Sequence, residues 1–208
     1  CLACAGCVTS AETVLVAQQT AGVVREALAQ NRDVWAVVAP TSRTAVAQAL
    51  NLSVLDAHKL ILVYLYSVLK VRAVLDTAVA ERLSLLCTID EFLTRWQRSA
   101  SASADVNASN GTNQPCSGTT QLNPNPYLAD SITAGFPMLA SECPGWVCYA
   151  EKRQAALLPH ISRTRSPQQI TAALARSHLG AAAPAFLFAV MPCYDKKLEA
   201  ARAEHFGA

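Results

Sequence analysis

Short runs of β-forming residues alternate with helical patterns along this sequence, and this alternation constrains the fold more than any other feature. The runs occupy residues 34–38, 71–75, 136–140 and 185–190. Helical patterns separate them, and Ser166-Pro-Gln-Gln169 is a clear helix start, with an N-cap serine, a proline in the first turn and glutamine at the capping-box position. Such alternation is typical of α/β folds. We therefore predict a mostly parallel sheet with helices on both faces.

Two cysteines follow the last two of these runs. Cys143 and Cys193 each have a proline beside them, and a helical pattern begins just beyond each. In parallel sheets ligands bind outside the carboxyl ends of the strands, and exposed N–H groups at a helix start stabilise a thiolate. Taken singly, each cysteine is equally compatible with a buried apolar side chain. Taken together, they predict a paired metal site.

Three further cysteines form the run Cys1-x-x-Cys4-x-x-Cys7. This spacing is used for [4Fe–4S] clusters, with a fourth cysteine supplied from elsewhere. A zinc site is the main alternative, although zinc ligands usually come as separated pairs. A disulfide scaffold fits poorly, because such scaffolds are short and loop-rich. We therefore expect metal-binding thiols in a reducing compartment, whereas Cys87 and Cys148 are expected to pack in helices and Cys116 to be a free thiol.

The composition excludes several classes of function. The formal charge is only +2, and no basic stripe with interleaved aromatic residues indicates nucleic-acid binding. The longest apolar run, at 60–69, is shorter than the roughly 20 residues of a membrane span, so we expect no span. Because the first residue is a cysteine, we expect the sequence to be a fragment whose missing cluster ligands lie outside it.

Three regions follow from this organisation. Residues 1–12 form part of an N-terminal [4Fe–4S] cluster loop. Residues 13–97 and 127–208 form an α/β domain that we expect to be incomplete at its carboxyl end. Residues 98–126 are rich in Ser, Asn, Ala, Gly, Thr and Pro, a composition that cannot bury enough apolar surface to offset the entropy of ordering. We therefore predict a disordered insertion there.

Several motifs resemble those of the iron-only hydrogenase superfamily. Met191-Pro-Cys-Tyr-Asp-Lys-Lys-Leu-Glu199 resembles its Met-Pro-Cys-x-x-Lys-x-x-Glu signature, and Ser141-Glu-Cys-Pro-Gly-Trp146 resembles the signature Thr-Ser-Cys-Cys-Pro-x-Trp. Arg165-Ser-Pro-Gln-Gln169 matches a further segment, and Leu75-Asp-Thr77 resembles an earlier Phe-Asp-Thr stretch. The opening cysteine run and Gly145-Trp-Val-Cys-Tyr-Ala-Glu-Lys152 are closer to the eukaryotic branch of nuclear prelamin A recognition factor-like proteins, which act in cytosolic iron–sulfur protein assembly.

The resemblance implies two [4Fe–4S] clusters in the full-length protein, within a fold like that of a hydrogenase large-subunit lobe. Cys143 and Cys193 match two of the four ligands of the inner cluster, and Cys1, Cys4 and Cys7 match three ligands of the N-terminal cluster. Lys196 matches the lysine that contacts the di-iron subsite of true hydrogenases. The partners implied are other assembly factors and apoprotein targets, and the location is cytoplasmic, with the nucleus as a second compartment.

Departures from the hydrogenase pattern argue against hydrogen chemistry. Glu142 stands where true hydrogenases place a proton-carrying cysteine, and the acidity of a carboxyl differs by several units from that of a thiol. Of the two glutamates in the family's proton path, Glu91 is present, but Thr88 stands at the other position. We therefore expect no catalytic residues and a role in delivering [4Fe–4S] clusters. The alternatives are a hydrogenase working with ferredoxin and a zinc-binding regulatory protein.

Overall fold

The computed structural model describes residues 10–108, 136–179 and 186–202. The helices of these segments are α1 (Ser10–Gln18), α2 (Ala21–Ala29), α3 (Pro40–Leu50), α4 (Val54–Val63), α5 (Thr77–Ala108), α6 (Pro144–Arg153), α7 (Pro167–Leu179) and α8 (Lys196–Ala200). A π-helical turn, Tyr64–Val68, continues α4, and a 3-10 helix, Ala155–His160, follows α6. The strands are β1 (Val34–Val38), β2 (Ala73–Asp76) and β3 (Phe186–Val190).

The three strands form one parallel sheet in the order β2-β1-β3. Every residue of the central strand β1 is buried. Because successive side chains of a strand point to opposite faces, this burial requires packing on both sides of the sheet. The predicted α/β class with a parallel sheet is confirmed, and so are the strands expected at 34–38, 71–75 and 185–190, with small shifts in their ends.

The core forms on the face of β1 that carries Val34, Ala36 and Val38. Ala27 of α2, Leu65 of the π-helical turn and Val71 pack against these side chains. Phe186 and Phe188 of β3 extend the cluster, as their pairing with Val34 and Ala36 dictates. Burial of these apolar side chains fixes β1 as the centre of the sheet and positions β3, which leads to the second cysteine motif.

The strand predicted at 136–140 is wrong. Only Leu139 pairs there, in an isolated parallel bridge with Ile161. The Leu139 N–H donates to the His160 carbonyl at 2.9 Å, and the Ser162 N–H donates to the Leu139 carbonyl at 2.7 Å. Pro137 has no N–H to donate, so a longer ladder cannot continue through this segment. Cys143 therefore follows this bridge and not a strand of the sheet.

The helix α5 continues to Ala108 and so enters the segment where we predicted an insertion. Residues 98–108 are helical, and residues 109–126 lie outside the described segments. Within the described segments, no single helix is long and apolar enough to cross a membrane, although the bent pair Pro40–Leu50 and Val54–Val68 meets the length and composition when taken together.

Candidate iron–sulfur site

Cys143 lies at the N-cap of α6 with an exposed thiol. Its backbone is extended, with φ −82° and ψ 110°, and Pro144 occupies the first helical position. The Cys143 N–H donates to the Ser141 hydroxyl at 3.1 Å, which fixes the turn before the helix. The unpaired N–H groups of the first helical turn favour a negative charge at this position. The predicted placement of this cysteine at a helix start is confirmed.

Cys193 lies three residues after β3 and is half-buried. Its carbonyl accepts a hydrogen bond from the Lys196 N–H at 3.3 Å, which closes the turn leading into α8. The N-cap of α8 is Asp195, two residues beyond the cysteine, and the helix has only five residues. Cys193 therefore lies before the helix and not at its N-cap. The prediction of a helix-start environment is wrong for this cysteine.

Lys196 joins the two cysteine-bearing turns. Its Nζ donates to the carbonyl oxygen of Glu142, the residue before Cys143, at 2.9 Å. The same Nζ lies 3.1 Å from Glu199 Oε2, and the two side chains are only 11% and 8% exposed. Gln169 of α7 completes the arrangement by donating from Nε2 to Glu199 Oε1 at 2.8 Å. A chain of polar contacts thus runs from α7 through α8 to the backbone beside Cys143.

A second set of contacts holds α6 to the end of α8. Arg202 pairs with Glu151 through both terminal nitrogens, at 2.9 and 2.7 Å, and its Nη2 donates to Cys148 Sγ at 3.4 Å. The hydrogen bonds with Glu151 raise the pKa of Arg202, so the guanidinium keeps its charge. Cys148 is buried, which confirms its predicted packing role. Cys87 is exposed, and so are its neighbours Leu85 and Leu86. The prediction that Cys87 packs against other side chains is therefore wrong.

The helix α1 is anchored to the same region. Its Glu12 pairs with Lys152 of α6 at 2.6 Å. Gln19, just beyond α1, exchanges two hydrogen bonds with Lys197 of α8: Gln19 Nε2 donates to the Lys197 carbonyl at 2.8 Å, and Lys197 Nζ donates to the Gln19 carbonyl at 2.7 Å. The predicted ligands Cys1, Cys4 and Cys7, which precede α1 in the sequence, lie outside the described residues. Cys116, which is predicted to be a free thiol, lies outside them as well.

The donor set beside Lys196 fits an iron–sulfur cluster in part. Cys143 and Cys193 are free thiols, and thiolates are the ligands that iron–sulfur clusters require. No group of three or more Cys, His, Asp or Glu side chains that could hold a metal ion occurs within residues 10–108, 136–179 and 186–202. The described residues therefore offer two of the four thiolates that a [4Fe–4S] cluster needs.

A buried ion pair supports the segment that leads to Cys143. Glu91 and Arg95, one turn apart on α5, are 0% and 2% exposed and lie 2.6 Å apart. The Glu91 carboxylate also accepts from the Ser162 hydroxyl at 2.7 Å and from the Arg163 N–H at 3.0 Å. Arg95 donates to the carbonyls of His160 and Ile161. These bonds fix the 160–163 stretch against which Leu139 pairs.

An open cleft of about 310 Å³ lies between α5 and the turn before Cys143. Glu142 and Thr88 both line this cleft, together with Glu81 and several hydroxyl side chains. Thr88 Oγ1 donates to the Ser84 carbonyl at 2.8 Å. Glu91 is fully buried and does not line the cleft. The two residues that depart from the hydrogenase pattern therefore line the same cleft, whereas Glu91, the residue that is retained, is bonded to buried and part-buried partners.

Sequence reasoning did not identify Arg95, Ser162, Gln169 or Arg202 as parts of the site. For Arg95, the sequence does contain a signal, namely its four-residue spacing from Glu91 on one helix. The other three contact residues that are 30 to 71 positions away: Ser162 with Glu91, Gln169 with Glu199, and Arg202 with Glu151. No local pattern indicates such contacts.

Comparison with known proteins places these features in context. Residues 120–208 match the family model described as the iron only hydrogenase large subunit, C-terminal domain. Protein NAR1 of Arabidopsis thaliana is 37% identical over 97% of this chain, which covers 38% of that protein. Cytosolic iron-sulfur assembly component 3 of Rattus norvegicus is 36% identical over 99% of this chain, which covers 40% of that protein. The chain thus spans about two fifths of the length of these relatives.

Solved structures agree with the sequence comparison. A variant of the FeFe-hydrogenase HydA1 from Chlamydomonas reinhardtii superposes with a TM-score of 0.51 at 25% identity, over 82% of this chain and 35% of that one. A second FeFe-hydrogenase, studied for oxygen inactivation of its H cluster, superposes with a TM-score of 0.52 at 25% identity, over 82% of this chain and 37% of that one.

Proposed function

The chain belongs to the iron-only hydrogenase superfamily and is similar along nearly its whole length to cytosolic iron–sulfur assembly factors, and from this we propose that it binds iron–sulfur clusters and helps deliver them to apoproteins. In this role it acts as an adaptor or carrier, not as a hydrogenase. Cys143 and Cys193 hold the inner cluster, and Cys1, Cys4 and Cys7 hold a second one, both of the [4Fe–4S] type.

The observation that carries this proposal is the joining of the two cysteine-bearing turns by Lys196. Its side chain bonds to the residue before Cys143, and its N–H bonds to the carbonyl of Cys193. The backbones of two cysteine-bearing turns that are 50 positions apart in sequence are thereby attached to one lysine. Such attachment supports a shared ligand, because a metal site gains affinity when its ligands are oriented before the metal binds.

The anchoring of α1 supports a second cluster near the same helices. The cysteine run at 1–7 directly precedes α1, which contacts α6 through Glu12 and α8 through Gln19. The proposed regions are therefore a cluster loop at 1–12, an α/β domain at 13–97 and 127–208, and an insertion at 98–126 whose first residues extend α5. Zinc binding is less favoured, because zinc ligands usually come as separated pairs, whereas Cys1, Cys4 and Cys7 form an evenly spaced run.

The cleft composition supports the carrier role over a hydrogenase. A proton path needs an unbroken series of groups that exchange protons within hydrogen-bond reach. Thr88 bonds to a backbone carbonyl, and Glu91 is engaged by Arg95, Ser162 and Arg163. The alternative function, hydrogen production or oxidation with ferredoxin, is favoured by the match to the hydrogenase family model and by the similarity of fold to FeFe-hydrogenases.

The proposed partners are other factors of iron–sulfur assembly and the apoproteins that receive clusters. The proposed location is the cytoplasm, with the nucleus as a second compartment. The partners and the cytoplasmic location follow from the names of the relatives, which are cytosolic assembly components, and the nucleus follows from the resemblance to nuclear prelamin A recognition factor-like proteins. Binding of nucleic acid is not part of the proposal, since the formal charge is +2 over 208 residues.

Anaerobic reconstitution of the full-length protein with iron and sulfide tests the proposed function. We expect two distinct electron paramagnetic resonance (EPR) signals in the reduced protein, and loss of one of them in both Cys143→Ala and Cys193→Ala. The Cys148→Ser variant is the matched control, because Cys148 lies on the same helix as Cys143 but is buried against Arg202. Retention of both signals in Cys193→Ala would show that the two cysteines do not share a cluster.

A further inference from the structure

The position of Lys196 in the structure suggests a role of its own. Its side chain is only 11% exposed, and its ammonium group is bonded to one carbonyl and one carboxylate. The carboxylate partner, Glu199, is itself bonded to Gln169. A buried lysine needs such partners, because desolvation of an unpaired charge is costly.

The carbonyl that Lys196 binds belongs to the residue immediately before Cys143. Two further bonds bracket the same turn, one from the Cys143 N–H to Ser141 and one from the Val147 N–H to the Cys143 carbonyl. The bond from Lys196 is the one that crosses from α8, over 54 positions in sequence. It therefore links the Cys143 turn directly to the helix that follows Cys193, whereas the bonds of Ser141 and Val147 set the local shape of one turn.

We propose that Lys196 is a positioning residue for the inner cluster, holding the backbone of the Cys143 turn against the Cys193 turn through the carbonyl of Glu142. This inference rests on the proposed function, since it takes Cys143 and Cys193 as ligands of one cluster. The side chain of Glu142 plays no part in it. Glu199 orients the lysine and balances its charge, and Gln169 holds the Glu199 carboxylate in place.

The neighbouring Lys197 provides a matched control. It belongs to the same helix, and its Nζ is also engaged, by the Gln19 carbonyl at 2.7 Å and by the ring of Tyr194 at 4.4 Å. Neither of these partners belongs to the Glu142 turn. Lys197→Met therefore removes an ammonium group of equal chemistry from α8 without removing the link between the cysteine turns.

The test compares Lys196→Met with Lys197→Met in the reconstituted full-length protein. A ferrous chelator is added anaerobically, and loss of the inner-cluster EPR signal is followed with time. Loss of an outer-shell partner typically lowers metal affinity about 10–100-fold. We expect Lys196→Met to lose the inner cluster faster by about that factor, and Lys197→Met to stay within about twofold of the unmodified protein.

A second variant separates positioning from stability. Lys196→Met leaves Glu199 buried without its cation, which lowers stability by itself. Lys196→Met combined with Glu199→Gln removes both charges, so its thermal midpoint should recover while the fast loss of the inner cluster remains. Recovery of cluster retention together with the midpoint would overturn the inference, as would loss at the unmodified rate in both variants.

Failure of the proposed function gives a different result. If Cys143→Ala and Cys193→Ala left the iron content and both EPR signals of the protein unchanged, there would be no inner cluster at these residues. That outcome would overturn the proposed function and this inference together. An inner cluster that depends on both cysteines but not on Lys196 would overturn the inference alone.

Discussion

Replacing Glu91 with glutamine tests whether the buried ion pair of α5 supports the site. The substitution keeps the size of the side chain but removes its charge. Arg95, which is 2% exposed, then loses the carboxylate that lies 2.6 Å from it. Glu91 also accepts from the Ser162 hydroxyl and from the Arg163 N–H, and an amide nitrogen cannot accept in place of an oxygen.

The expected cost follows from these contacts. Removing one partner of a buried ion pair costs about 3–5 kcal/mol, because the other charge stays buried without compensation. In domains of 150–250 residues each 1 kcal/mol lowers the thermal midpoint by about 2–4 °C. We therefore expect Glu91→Gln to lower the midpoint by about 6–20 °C, measured by circular dichroism on the metal-free protein under reducing, anaerobic conditions.

The pair Asp56 and Lys59 provides the control. It also lies within one helix, at 3.7 Å, but its side chains are 58% and 65% exposed. Exposed pairs contribute about 0–1 kcal/mol, so Lys59→Gln should change the midpoint by no more than about 4 °C. An equal, small change in Glu91→Gln would refute the argument that burial makes the Glu91–Arg95 pair important.

Three further outcomes are expected. After anaerobic maturation with a di-iron cofactor, the protein should evolve no hydrogen in a gas-chromatographic assay, because Glu142 and Thr88 interrupt the proton path; measurable evolution would favour the hydrogenase alternative. Cys4→Ala should remove the EPR signal that survives in Cys193→Ala, and loss of the same signal in both variants would mean one cluster instead of two. Arg202→Ala should lower the thermal midpoint, because Glu151 and Cys148 lose their shared partner, while iron content measured by colorimetry should not change; a fall in iron content would place Arg202 in the cluster site.

The strands could be predicted where the apolar pattern alone determines them. The run at 34–38 is continuous and buried on both faces, so the sequence indicates a central parallel strand and the structure contains one. The run at 136–140 has a similar apolar content, but Pro137 interrupts its hydrogen bonding and only Leu139 pairs. The hydrophobicity of a segment predicts whether it is buried. Whether it pairs with a neighbouring strand also depends on which of its backbone N–H groups can donate.

The candidate site, like the sheet, could be predicted from the sequence only in part. The sequence identifies Cys143 and Cys193 by their surroundings, and the N-cap position of Cys143 agrees with that prediction. The link through Lys196 could not be predicted, because its partner is a backbone carbonyl 54 positions away. Every residue has a backbone carbonyl, so this bond does not require a particular residue type at position 142. The sequence therefore does not indicate which residue Lys196 binds.

The two hydrogen bonds between Gln19 and Lys197 also bear on the order in which the protein folds. They span 178 positions, the longest separation among the contacts of the site. Closing so long a loop in an unfolded chain costs about 5 kcal/mol in entropy, and two part-buried hydrogen bonds of about 1 kcal/mol each offset less than half of it. The intervening sheet must therefore form first and shorten the effective loop. During synthesis α1 emerges early but cannot dock until Lys197 has left the ribosome, so α1 is among the last elements to join the fold.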